Sequence, residues 1–129
     1  SNQNQKINFR EGFQVQGSIS LLSQNIKEMI FSPQWEWIRE WMANKLLEAT
    51  ILESLVIKND ILELRGQVTD LEEPKVESFT VEAKSGTLMF KNIYKEKIAM
   101  LPMDKVIHID HAIIQDGNLH ISVNAEVSP

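Results

Sequence analysis

Four segments of this chain share one design: a stretch of alternating apolar and polar residues, a short polar turn, and a second alternating stretch. Successive side chains of a β-strand point to opposite faces, so alternation predicts strands with one buried and one exposed face. Two such strands joined by a short turn make a hairpin, and a chain built mainly of hairpins is restricted to antiparallel sheets. The segments run over residues 7–19, 55–68, 76–93 and 106–127.

The length of each turn follows from the rule that residues facing each other across a hairpin share a face. Three-residue loops at 10–12 and 115–117 satisfy this rule in the first and last segments. Both loops end in glycine, which adopts the left-handed conformation that such a loop requires, so we expect positive φ at Gly12 and Gly117. The expected pairs are Phe9 with Phe13, Ile7 with Val15, Ile113 with Leu119, Ile109 with Val123, and Ile107 with Ala125.

In the second and third hairpins, a three-residue loop would place apolar residues opposite polar ones. A two-residue loop shifts the pairing by one residue and brings apolar residues opposite each other. A loop at Asn59-Asp60 places Ile57 opposite Leu62. A loop at Ser85-Gly86 places Ala83 opposite Leu88 by the same reasoning.

One region, from about Ser23 to Glu48, has the spacing of a helix. Ser32-Pro33 interrupts it, because proline favours the first position of a new helix. A broad apolar face then lies opposite Glu36, Arg39 and Glu40. The sequence therefore predicts an α+β domain, a meandering antiparallel sheet of up to eight strands packed on one long kinked helix. The apolar face of the helix holds Trp35, Trp37, Ile38, Trp41, Met42 and Leu46, and its shorter first part adds Ile26, Met29 and Ile30.

Composition supports a folded protein and excludes several kinds of chemistry. The chain has 129 residues, of which 43% are hydrophobic and 24% charged, so we expect a single domain over 6–129. Residues 1–5 are expected to be a tag remnant or a disordered start. There is no cysteine, which excludes disulfides, thiolate metal ligands and cysteine nucleophiles.

The balance of charge and hydropathy also limits the partners. A net charge of -5 is opposite to what phosphate neutralisation requires, so we expect no nucleic-acid partner. No apolar stretch approaches the roughly 20 residues of a transmembrane helix. We expect no transmembrane segment.

The histidines and carboxylates do not form a recognisable catalytic or metal motif. His108, Asp110 and His120 are expected on the polar face of the last hairpin, with His108 opposite Asn124, His120 opposite Ala112 and Asp110 facing Ser122. That spacing keeps the two imidazoles apart, so we expect no metal and no cofactor. His111 is expected on the buried face, as a core histidine or as a polar group in a ligand pocket. Motifs for a serine nucleophile or a phosphate loop are absent, so we expect no enzyme.

The tryptophan-rich helix is the best candidate for a functional surface, because indole combines a large apolar area with a polar N–H. Trp37 and Trp41 lie on the shoulder of the apolar face, and we expect them to be less buried than Trp35 and to line a cavity or patch. Methionine supplies adaptable apolar surface that suits a variable ligand, although such residues more often simply fill the core. The expected ligand-binding residues are Trp37, Ile38, Trp41, Met42, Met100 and Met103.

The order of these elements resembles a known family. The similarity lies in three successive features: the run Ile19-Ser20-Leu21-Leu22-Ser23-Gln24-Asn25-Ile26, then Ser32-Pro33 and a helix, then hairpins ending in Asp116-Gly117-Asn118-Leu119-His120-Ile121. In these features the chain is similar to the C-terminal half of the LmeA-like phospholipid-binding family, which includes many uncharacterised cyanobacterial proteins. The resemblance covers roughly residues 14–127. It implies a curved antiparallel sheet wrapped on a helix, a lipid or other apolar ligand, and a location at the cell envelope or membrane periphery. Family members commonly carry a comparable segment upstream, so the domain is expected to be part of a longer protein.

Two functions fit these features. The first is a non-enzymatic domain that binds a lipid-like or other apolar ligand between helix and sheet, by removing apolar surface from water. The alternative is a structural or protein-interaction module, in which edge strands or the tryptophan shoulder contact a partner or a second copy of the chain.

Overall fold

The computed structural model describes residues 13–69 and 73–127, and the side chains of 16–69 and 73–125. The described chain contains two short helices, α1 (Ser23–Ile30) and α2 (Glu36–Trp41), with a 3₁₀ turn at Pro33–Trp35 and a π-helical turn at Met42–Leu46. The predicted loop at 10–12, its residue pairs, the φ of Gly12 and the predicted start at 1–5 lie outside the described residues. The strands are β1 (Phe13–Leu22), β2 (Ile51–Lys58), β3 (Ile61–Gln67), β4 (Lys75–Lys84), β5 (Thr87–Asn92), β6 (Ile98–Met100), β7 (Ile107–Gln115) and β8 (Asn118–Val127).

The strands form two antiparallel sheets. A three-stranded sheet has the order β1-β8-β7, and a five-stranded sheet is the meander β2-β3-β4-β5-β6. The α+β class and the antiparallel pairing are confirmed, whereas the prediction of one sheet is wrong. The physical reason is that β1 pairs along its whole length with β8, from Phe13 with Val127 to Leu22 with Asn118, and this pairing closes a separate sheet.

The two sheets meet at the turns of the meander. The N–H of Ile109 in β7 donates to the carbonyl oxygen of Gly86 at 2.8 Å, and the N–H of Gly117 donates to the carbonyl oxygen of Asn59 at 2.9 Å. Gly86 and Asn59 lie in the β4–β5 and β2–β3 turns. The three-stranded sheet is therefore fixed against the tips of two hairpins.

The predicted register is confirmed in the second and third hairpins. Ile57 pairs with Leu62 and Ala83 pairs with Leu88, so both turns have two residues as expected. Because these turns carry positive φ at Asn59, Ser85 and Gly86, they have the backbone of tight hairpin turns.

The last hairpin differs from its prediction at one residue. The pairs far from the turn, Ile107 with Ala125 and Ile109 with Val123, are as predicted. Near the turn, Ile114 faces Leu119, so the predicted pair of Ile113 with Leu119 is wrong. The turn has the two residues Asp116-Gly117, so the predicted three-residue loop is also wrong. An extra residue between Ile109 and His111 forms a β-bulge and shifts the register by one. Positive φ at Asp116 (53°) and Gly117 (80°) fits a type I′ turn, so the expected positive φ at Gly117 is confirmed.

The prediction of one long kinked helix is also wrong, because the helical region is broken into short pieces. α1 ends at Ile30, and Pro33 begins the 3₁₀ turn that leads into α2. Arg39 fixes this break, since its Nη1 donates to the carbonyl oxygens of Ile30 and Ser32, both at 2.6 Å. The bond to Ile30 satisfies a carbonyl group in the last turn of α1, and the bond to Ser32 adds to the one that its carbonyl oxygen accepts from the N–H of Trp35.

The core lies between the helical pieces and the inner face of the five-stranded sheet. Ile38 and Leu46 on the helical side pack against a sheet face that includes Leu55, Leu64 and Phe79. Leu55, Leu64 and Phe79 are the largest fully buried side chains among the described residues. This half of the molecule is packed as an ordinary domain core.

Candidate ligand-binding cavity

A cavity of about 250 Å³ separates the helical pieces and the five-stranded sheet from the three-stranded sheet. All 22 side chains that line it are apolar, and no polar atom of the described residues contributes to its surface. Interiors of folded proteins rarely contain voids larger than a water molecule, so a space of this size is unusual for a core. Water entering it would find no hydrogen-bond partner on the walls.

Three parts of the fold supply the walls. The helical pieces and the five-stranded sheet form one side, the apolar face of the three-stranded sheet forms the other, and the β6–β7 connection contributes Leu101 and Met103. The helical pieces contribute Ile26, Met29, Ile30, Trp35, Ile38 and Met42. The five-stranded sheet contributes Leu55, Ile57, Leu62, Val81, Leu88 and Phe90. The three-stranded sheet contributes Ile19, Leu21, Ile107, Ile109, Ile114, Leu119, Ile121 and Val123.

The cavity has a closed end and an open end. Met42, Leu55 and Phe90 are buried and form the closed end, whereas Met29, Trp35 and Leu88 on the same walls are half-buried. Ile121 and Val123 of β8 are only half-buried, and Ile19 of β1 is 50% exposed although it lines the cavity. Ile19 is the most exposed of the described lining residues, so the opening lies at β1, beside β8.

The structure brings three of the six predicted ligand-binding residues together. Ile38, Met42 and Met103 line the cavity. Trp37 is 48% exposed, Met100 is 40% exposed on edge strand β6, and Trp41 packs on Phe90 with ring centroids 5.6 Å apart. None of these last three lines the cavity. Ligand binding by the six residues stays a prediction.

Sequence reasoning missed the opposite wall of the cavity and one tryptophan. Trp35 is half-buried and Trp37 is exposed, so the expected order of these two indoles is confirmed, but Trp35 was not expected to line the cavity, as it does. The wall formed by β1 and β8 was also missed, although its apolar residues alternate along each strand, as Ile19 and Leu21 do in β1. The alternation shows that this face is apolar, but only the pairing of β1 with β8 places it across from the helices.

The outer face of the three-stranded sheet is polar and holds the histidines. The Ser20 Oγ and His120 Nδ1 atoms are 2.7 Å apart on paired strands, and His108 Nδ1 lies 2.9 Å from Asp110 Oδ1. The expected pair of His108 with Asn124 is confirmed, but His120 faces Ile113 instead of Ala112, and His111 instead of Asp110 faces Ser122.

His111 is exposed, so the prediction that it lies on the buried face is wrong. The bulge at Asp110 reverses the parity of the strand from His111 onward. Ile113 is 40% exposed for the same reason. Among the side chains that the structure describes, no three His, Asp or Glu residues are grouped closely enough to hold a metal ion.

The groups with shifted pKa values lie away from the cavity. Burial raises the pKa of Glu77, but hydrogen bonds from Lys95 and Asn92 outweigh it, and the carboxyl pKa lies below its ordinary value. The hydrogen bond with Glu77 raises the pKa of Lys95. A hydrogen bond from Lys97 lowers the pKa of Glu48. Since no titratable side chain lines the cavity, it presents no charge to a ligand.

No protein-family model, curated protein or solved structure matches this chain. The resemblance to the LmeA-like family therefore stays a prediction from the sequence. In the described part of the chain, neither helix has the length and hydropathy of a membrane span.

Proposed function

We propose that this domain is a non-enzymatic binding domain for a lipid-like or other apolar ligand, held between the helical pieces and the two sheets. The observation that carries this proposal is the cavity of about 250 Å³ with an entirely apolar lining. Ligand sites are typically apolar and largely pre-formed, and this cavity has both properties.

The free energy of an empty cavity supports the proposal. Void volume enclosed in a core costs about 24 cal/mol per Å³, so about 6 kcal/mol is the upper limit for an empty cavity of about 250 Å³, and the open end of this one lowers the cost. Whole domains are stable by only about 5–15 kcal/mol. An apolar occupant that restores the missing contacts removes much of this cost, and water does not, because the walls offer it no hydrogen bonds.

Tryptophan emission tests this function, because Trp35 lines the cavity and Trp37 is exposed outside it. Titration with decanoate below its micelle concentration should shift the emission of the wild-type protein to shorter wavelength, because the alkyl chain covers the part of the half-buried Trp35 indole that solvent reaches. The shift should disappear in Trp35→Phe and persist in the matched control Trp37→Phe. No shift in the wild-type protein, or a shift lost only in Trp37→Phe, would contradict the proposal.

A second candidate function, self-association or a protein contact, is favoured by the edge of the five-stranded sheet. β6 is an edge strand, and its side chains Ile98 and Met100 point to the same side and are both exposed. Exposed apolar side chains on an unpaired edge strand are suited to pairing with another chain. Sedimentation equilibrium tests this candidate: a dimer that Ile98→Lys converts to a monomer would support it, and a monomeric wild-type protein would refute self-association.

A further inference from the structure

We infer that the ligand is a single alkyl or acyl chain of about ten carbons, whose polar head group remains outside the cavity. This inference rests on the proposed function and specifies its ligand. It follows from the volume of the cavity, the chemistry of its lining and the position of its opening.

The volume sets the number of carbons. An engineered apolar cavity of about 150 Å³ accommodates benzene, which has six carbons, so a cavity of about 250 Å³ holds roughly ten. Ten carbons correspond to one medium-length chain. The two long chains of a membrane phospholipid contain several times as many, so the cavity cannot enclose both.

The lining decides where the head group lies. A polar group moved from water to an apolar site without a hydrogen bond is strongly disfavoured, and a charged group still more so. No polar atom lines the cavity, and among the described side chains no buried nitrogen or oxygen lacks a hydrogen-bond partner that a head group could supply. The head group therefore gains nothing by entering.

The direction of the chain follows from burial. The methyl end lies at the closed end, against Met42 and Phe90, and the head group lies near Ile19 and Val123 at the β1–β8 opening. This orientation gives the walls contact with hydrocarbon along the whole chain and leaves the polar end in water. This orientation predicts that affinity depends on the length of the alkyl chain and only weakly on the head group.

The experiment is a calorimetric titration of the wild-type protein with saturated fatty acids of six to sixteen carbons, each below its micelle concentration. Affinity should increase about fourfold per methylene up to about ten carbons and then level off. An affinity that increases with the same slope through sixteen carbons would overturn the inference while leaving the proposed function intact. Absence of binding at every length would overturn both.

Two further arms examine the single chain and the head group. Didecanoyl phosphatidylcholine should bind less than about fourfold more tightly than its one-chain lysolipid, because the second chain finds no cavity. Decanoate, decanol and decyltrimethylammonium should agree within about fivefold in 150 mM salt, as expected when the charge stays in solvent. A larger gain from the second chain, or a larger spread among head groups, would contradict the corresponding part of the inference.

A variant at the closed end checks that the limit on chain length comes from this cavity. Met42→Ala lengthens the cavity, so affinity should level off at about twelve or thirteen carbons. Leu64→Ala is the matched control, because Leu64 is fully buried in the core but does not line the cavity. Affinity in Leu64→Ala should level off at the wild-type length. Equal changes in both variants would show that the limit reflects general loosening of the core and would overturn the assignment.

Discussion

The two sheets of this protein are built from the same alternating pattern, yet they are buried to different degrees. In the five-stranded sheet, Leu62 and Leu64 of β3 are buried beneath the helical pieces. In the three-stranded sheet, β8 is the central strand, but every side chain described along it is only half-buried. The cavity borders buried Leu62 as well as half-buried Ile121, so β8 differs because it lies at the open end of the cavity. Alternation therefore determines which face of a strand is apolar, whereas the packing of other elements determines whether that face is covered.

The largest expected difference between the sheets is the cost of removing a core side chain. Phe79→Ala in β4 should lower the free energy of unfolding by about 3–5 kcal/mol, because the ring is closely surrounded. Ile121→Ala in β8 should cost about 1 kcal/mol, because its side chain already borders a void and loses few contacts. Urea unfolding measures both values. Equal losses would mean that the face of β8 is packed in solution and that the cavity is closed.

A smaller effect is expected at the junction of the sheets. Gly86 and Gly117 have φ of 81° and 80°, so alanine at either position strains the backbone. A Cβ at Gly86 would also lie 2.7 Å from Cδ2 of His108 in β7, whereas a Cβ at Gly117 would meet nothing within 4 Å. Gly117→Ala should therefore cost about 1 kcal/mol and Gly86→Ala about 2 kcal/mol.

A double-mutant cycle isolates the contact between the sheets. His108→Ala removes the ring that a Cβ at position 86 would strike. In that background Gly86→Ala should cost about as much as Gly117→Ala does in the wild-type protein. If the extra cost persists without the imidazole, it does not come from the contact between position 86 and the His108 ring.

The smallest effect concerns an ion pair of the five-stranded sheet. Glu77 accepts a hydrogen bond from buried Asn92 at 2.9 Å and pairs with Lys95, and its pKa is lowered in the folded protein. Its interactions therefore stabilise the fold above the ordinary carboxyl pKa of 4.5, and this stabilisation is lost as pH falls through the lower folded pKa. Glu77→Gln should cost about 1 kcal/mol at pH 7, and the difference from wild type should shrink below pH 4.5 in acid-unfolding curves. A difference that is constant with pH would contradict this role.

Local rules predicted the hairpins of the five-stranded sheet well, because facing residues there lie close together in sequence. They failed in the last hairpin at Asp110, where a single bulged residue reverses the parity of the rest of the strand. A signal was present: the apolar run Ala112-Ile113-Ile114 breaks the alternation, and Asp116-Gly117 is the preferred pair for a two-residue turn. The separate three-stranded sheet had no local signal, because it depends on pairing between β1 and β8 across most of the chain.

The candidate site was predictable on one side only. The helical periodicity identified Ile38 and Met42, which line the cavity, but it also placed Trp37 and Trp41 on the same apolar face. A 3₁₀ turn precedes α2 and a π-helical turn follows it, so a single helical period does not describe the whole segment. The wall across the cavity comes from β1, β7 and β8, and its position depends on how the two sheets meet.

Binding inside the cavity is tested by a thermal melt of Ile121→Trp with and without decanoate. Ile121 lines the cavity, and neighbouring Ser122 lies on the polar outer face, so Ser122→Trp is the matched control. A bound ligand raises the melting temperature of the state that it binds. We predict that Ile121→Trp melts at a higher temperature than wild type without decanoate and gains nothing from it, while wild type and Ser122→Trp are both stabilised. If Ile121→Trp lowers the melting temperature and decanoate stabilises it as it does wild type, the cavity is not the binding site.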